Sequence, residues 1–216
     1  RYDFSILSGN EIAYRLHEVL EKEGVSYEDE AVDLIISLAD GGMRDALSIL
    51  DQVLAYSGNN LKVQDVLDIF ALESTEEKLS LINFIGIGDL KDVLNRLKTY
   101  IDRGSDIKRL TNDLLVMLKD VLIYNATRSD EYFETLNVQQ VKSLSAKIKV
   151  NQNMQMIDIL MDATKDYKNV TSINPIFEMS LLKMITMFSE IKQEVEQSTL
   201  VEEEIVEERK PVIKEQ

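Results

Sequence analysis

Residues 41–52 read Gly41-Gly42-Met43-Arg44-Asp45-Ala46-Leu47-Ser48-Ile49-Leu50-Asp51-Gln52. Two glycines free the backbone just before an apolar helical pattern, so the stretch predicts a sharp break and then a helix. That helix, over about Met43–Tyr56, turns Leu47, Leu50, Val53 and Leu54 inward. Arg44 falls in its first turn, where unsatisfied amides and aligned peptide dipoles make the helix end electropositive. A guanidinium there makes a strong anion site, because its planar fork matches phosphate oxygens. Small Ala46 and Ser48 allow close packing nearby. The same residues also describe a well-capped helix whose Arg44 pairs with Asp45 or a neighbouring acid. Chemistry alone leaves both readings open.

Working outward toward the N-terminus, Arg1–Leu7 reads as a short extended lead-in. Ser8-Gly9-Asn10-Glu11 is a capping box. The helix after it places Ile12, Leu16, Val19 and Leu20 on one face and stops at Gly24. A second helix is predicted from Ser26, with Glu28, Asp29 and Glu30 at its positive end. Its stripe is Ala31, Leu34, Ile35 and Leu38. A short helix near Val63–Phe70 closes a small bundle.

A second unit is expected from Leu72. Ser74-Thr75-Glu76-Glu77 resembles another capping box, before a helix to about Ile85. Gly86-Ile87-Gly88 is read as a turn. Leu90, Val93, Leu94, Leu97 and Ile101 define the next helix, stopped by Gly104. Asp106–Asn125 follows as a longer helix, apolar on more than one side. Ser129–Leu136 reads as a connection, and Val138–Ile148 and Met154–Tyr167 as helices. Pro175 precedes the most apolar helix, about Ile176–Ile191. From Glu194 the pattern fades into an acidic run, Glu202-Glu203-Glu204 and Glu207-Glu208, read as a linker or frayed tail. The expected organisation is therefore all-α: 1–71, 72–192, and a tail over 193–216.

Composition agrees with this. A chain of 216 residues that is 44% hydrophobic can bury a core, and its 8 glycines and 2 prolines leave room for long helices. The formal net charge of −15 repels a duplex, so autonomous DNA binding is not expected. Without cysteine, these residues form neither disulfides nor thiolate metal sites, and a reducing cytoplasm fits. No apolar run reaches the ~20 residues of a membrane span. The opening Arg1-Tyr2-Asp3-Phe4, without Met, reads as the middle of a longer protein.

The stretch from Gly41 to Gln52 resembles the sensor 2 segment of the DNA polymerase III gamma/tau subunits, bacterial clamp-loader members of the AAA+ ATPases. Arg1-Tyr2-Asp3-Phe4 looks like the segment after that family's arginine-finger motif. Asn10-Glu11-Ile12 through Glu21-Lys22-Glu23-Gly24-Val25 resembles its first lid helix. Asp113-Leu114-Leu115 to Tyr124, and Asn174-Pro175 through Met184, look like its collar helices. The resemblance implies an AAA+ lid over residues 1–71 and an oligomerising collar over 72–192. It implies that Arg44 reaches the terminal phosphate of ATP, with Mg, held mainly by a core domain outside these residues. Met43 would lie near the base and sugar. Implied partners are other gamma/tau copies, delta and delta-prime, and indirectly the sliding clamp and primed DNA. Lys62 departs from the family where a capping Thr is expected. Without the G-x-x-x-x-G-K-[ST] loop there is no phosphate cradle, so ATP hydrolysis by these residues alone is not expected.

Other features read more plainly. His17 has no metal-ligand or triad partner and reads as a surface histidine. Met154, Met156, Met161, Met179, Met184 and Met187 suit core filling or an adaptable binding face. Gly86-Ile87-Gly88 follows no strand, which argues against a nucleotide loop. Two alternatives remain at this level. One is a helical interaction module with no nucleotide link. The other is the lid of a different AAA+ protein, such as a replication initiator or branch-migration helicase.

Overall fold

The structure is a computed structural model that describes residues 8–188. The expected lead-in over residues 1–7 and the acidic run beyond 188 lie outside them. The chain divides into two compact units, 1–74 and 75–216. The all-α expectation holds: helices carry both units, and the strands are two residues long.

The first unit packs α1 (Gly9–Glu23), α2 (Asp29–Leu38), α3 (Met43–Ser57) and α4 (Val63–Ile69) around Ile12, Leu16, Leu20, Ile35, Leu50 and Val53. The capping box that opens α1 is present in full. Ser8 Oγ accepts the Glu11 N–H at 3.3 Å, and the Glu11 carboxylate accepts the Ser8 N–H at 2.8 Å. Gly24 ends α1 in the left-handed region at φ 67°, a conformation that glycine takes without strain.

The second helix does not begin at Ser26. Ser26–Tyr27 is a strand, β1, paired in parallel with β2 (Asn60–Leu61), and α2 starts three residues later at Asp29. The Ser26 N–H bonds the Asn59 carbonyl and the Glu28 N–H bonds the Leu61 carbonyl, both at 3.0 Å. This pairing joins segments more than thirty residues apart in sequence, so no local pattern announces it.

The second unit packs α5 (Thr75–Ile87), α6 (Leu90–Arg103), α7 (Ile107–Thr127), α8 (Val138–Lys147), α9 (Val150–Asp166), a 3-10 turn (Tyr167–Asn169) and a helix over 174–188, here α10. Its core joins Leu81, Ile85, Leu97, Leu114, Met117, Leu144, Leu160, Phe177 and Met184. Three boundaries differ from expectation. Gly86 and Ile87 are helical, and only Gly88, at φ 76°, makes the turn. Burial of Ile85 holds that last turn of α5 on the core, and a Cβ added at Gly86 would meet Ile148 at 3.6 Å. α9 opens at Val150 because the N–H of Lys149 bonds Gln152 Oε1 at 2.8 Å. Pro175 lies within the first turn of α10, where its missing N–H costs nothing.

α10 is one-sided rather than apolar all round: Phe177, Leu181, Met184 and Phe188 are buried, while Met179 and Lys183 are exposed. The methionines divide the same way. Met156 and Met184 are core, whereas Met154, Met161 and Met179 are exposed. No helix of the described residues is long and apolar enough to cross a membrane.

Candidate functional site at the start of α3

The chain leaves α2 through Ala39, passes Asp40 and Gly41 at φ 46° and 80°, and enters α3 at Gly42. Two consecutive left-handed residues reverse the backbone in minimal space. Glycine tolerates this better than any other residue. The Gly42 N–H bonds the Ala39 carbonyl at 2.8 Å, and the Gly42 carbonyl accepts the Ala46 N–H at 2.9 Å. Gly42 has no side chain with which to cap the helix. Among the described residues, the N–H groups of Met43, Arg44 and Asp45 therefore have no partner.

Arg44 is exposed and forms no ion pair among the described residues. The reading in which Arg44 pairs with Asp45 is not realised there. The Asp45 carboxylate lies instead against Gly42, where an added Cβ would come within 2.5 Å of its Oδ2. Met43 is half-buried and packs on the core of the unit, which fixes the start of the helix. Residues 8–74 carry 14 acidic side chains against 4 lysines and arginines, so the free guanidinium stands out in an otherwise negative unit. Three free amides and one free guanidinium fit an anionic oxygen cluster such as phosphate.

His17 is half-buried rather than simply on the surface. It stacks on Tyr27 at 5.2 Å, with Asp29 Oδ1 3.9 Å from Nε2. No group of acids and histidines among the described residues could hold a metal.

Three carboxylates have structural roles that the sequence reading did not assign. Glu28 caps α4 from a distance, accepting the Val63 N–H at 2.8 Å. Lys62, which has no acceptor of its own, is served by Asp65 Oδ2 through its backbone N–H at 3.0 Å. Asp120, fully buried on α7, accepts the N–H groups of Glu134, Thr135 and Leu136 at 3.1, 2.9 and 3.1 Å. The one acid within the apolar stretch 114–127 of α7 was the available signal for Asp120.

Fold and site together define an all-helical chain of two units, with an anion-ready helix start in the first. Residues 11–59 match the family described as DNA polymerase III clamp loader subunit, ATPase lid domain. Residues 61–200 match DNA polymerase III subunits gamma and tau domain III, and the chain belongs to that family. It is 31% identical to DNA polymerase III subunit tau of Bacillus subtilis, over 85% of this chain and 33% of that protein. It is 27% identical to DNA polymerase III subunit gamma/tau of Mycoplasma genitalium, over 94% of this chain and 36% of that protein. Protein STICHEL-like 1 of Arabidopsis thaliana is 23% identical over 87% of this chain and 16% of its own length. The chain thus spans about a third of the bacterial relatives.

Proposed function

We propose that this chain is the lid and collar part of a bacterial, cytoplasmic clamp-loader subunit, which uses ATP to load a sliding clamp onto primed DNA. The reading rests on Arg44, which is exposed, without an ion pair among the described residues and beside three free helix amides. In this role Arg44 senses the terminal phosphate of ATP held, with Mg, by a nucleotide-binding domain outside these residues. Met43 borders the base and sugar. A cation that interacts differently with ATP and its product biases the unit between two arrangements only by that difference in affinity. The second unit, in this reading, assembles with other gamma/tau copies, delta and delta-prime.

The test is Arg44→Ala in the full-length protein. Subunit assembly and thermal stability are expected to persist, since the side chain packs on nothing that would be lost. ATP-dependent clamp loading is expected to fall. Unchanged loading would remove Arg44 from the mechanism.

A further inference from the structure

Asp40–Gly41 is the only Asp-Gly step in the chain, and no Asn-Gly step occurs. It forms the turn between α2 and α3. Among the described residues, Asp40 and Asp130 are the aspartates that lie outside helices and their N-caps, and Asp130 is followed by Glu131 rather than glycine. Asp40 is exposed, and its carboxylate makes neither an ion pair nor a hydrogen bond among the described residues. The Gly41 N–H has no acceptor there either. A carboxyl group and the amide nitrogen that follows it are thus both uncommitted, side by side, in open backbone.

That pairing has a specific chemistry. An aspartate in a helix has its backbone fixed, which holds the next nitrogen away from the side-chain carboxyl. Gly41 imposes no such restraint, because without a Cβ its nitrogen is open to approach and its backbone rotates freely. Asp40 and Gly41 lie at φ 46° and 80°. The left-handed region disfavours an L-residue, so the ordinary aspartyl linkage is strained at this position. A main chain lengthened there by one methylene escapes that restriction.

We propose that Asp40 is a modification site, at which the folded chain isomerises spontaneously to isoaspartate. The Gly41 nitrogen attacks Asp40 Cγ and forms an N–Cγ bond. The protonated carboxyl loses its hydroxyl and the nitrogen loses its hydrogen; the two depart as one water, and a succinimide ring closes. Water then opens the ring at either carbonyl. Attack at Cγ restores aspartate. Attack at the main-chain carbonyl carbon of Asp40 leaves isoaspartate, with the chain running through Cβ and Cγ. One water leaves and one returns, so no oxidant or reductant is needed. The bond from the Gly42 N–H to the Ala39 carbonyl, 2.8 Å, closes the turn across this step. An additional main-chain atom inside that closed loop disrupts it and loosens the start of α3. On the reading of Arg44 proposed above, its guanidinium is displaced as well; the chemistry at Asp40 does not depend on that reading.

The test incubates the folded chain at neutral pH in water enriched in heavy oxygen, since each opening of the ring inserts one solvent oxygen. Mass spectrometry of the digested chain reads the label, and electron-transfer fragmentation separates aspartate from isoaspartate. Label and isoaspartate are expected to accumulate at Asp40 ahead of every other aspartate, Asp130 included. The rate in the folded chain is expected to stay close to that of the chain unfolded in urea. Asp40→Glu, which would have to close a larger ring, is expected to lose the label. Asp40→Asn keeps a residue type that tolerates positive φ; it releases ammonia in place of water and is expected to converge on the same isoaspartate. Label that appears at Asp40 in urea but not in the folded chain overturns the proposal. So does label spread equally over the aspartates, or label at Asp40 without isoaspartate. Loss or retention of clamp loading in Arg44→Ala leaves these outcomes untouched, so the two readings fail separately.

Discussion

Glu28 Oε2 accepts the backbone N–H of Val63 at 2.8 Å, across 35 residues of sequence. Glu28 lies between β1 and α2, so one side chain ties the β1–β2 pairing to the start of α4. It also relieves α4 of dependence on position 62, where lysine cannot cap. Glu28→Ala is expected to lower the stability of the first unit by about 1 kcal/mol, as for other lost N-caps. Glu28→Gln, which keeps an acceptor, is expected to lose less. Urea melts of the two variants check this; equal losses would show that the hydrogen bond is not the cause.

Asp120 organises the connection between α7 and α8 by accepting three consecutive N–H groups from within the core. Asp120→Ala strands those donors and is expected to cost about 3 kcal/mol. Cleavage by a protease within residues 129–136 is expected to accelerate. Native-state proteolysis reads this directly, and an unchanged cleavage rate would mean the loop is held by other contacts.

Gly41, at φ 80°, occupies backbone space that a side chain resists. Gly41→Ala is expected to destabilise the first unit by about 1 kcal/mol or more. Asp40, at φ 46°, bears the same kind of strain already, so Asp40→Gly is expected to be close to neutral. Thermal melts separate the two, and a harmless Gly41→Ala would contradict the backbone argument.

Hydrogen bonds from the Ser8 N–H and then the Ser8 hydroxyl hold the Glu11 carboxyl below its ordinary value of 4.5. Lys22 and then Arg15 do the same for Glu18. A carboxyl lowered by folding contributes stability above its unfolded value and loses it as pH falls through the folded one. The start of α1 is therefore expected to fray on acidification below about pH 4.5. Amide exchange at Gly9–Ile12, followed against pH in wild type and Glu11→Gln, measures this. A wild-type profile matching that of Glu11→Gln would exclude the capping box as its origin.

Much of this protein is legible in the sequence because its determinants are local. Apolar residues at helical spacing, the Ser8–Glu11 box, and Gly24 and Gly104 after the last periodic residues each act within one or two turns. Helix positions follow from them, and so does Arg44 in the first turn of α3 behind Gly41-Gly42. Tertiary structure decided what depends on distant partners. Ser26–Tyr27 became a strand because Asn60–Leu61 lies beside it, and a two-residue pairing has no periodicity to detect. Gly86 stayed helical because the last turn of α5 carries Ile85 into the core. Asp120 and Glu28 found their donors in segments that sequence spacing does not bring near. Local patterns thus set where helices form, whereas the satisfaction of buried and terminal polar groups is settled only when the chain has closed on itself.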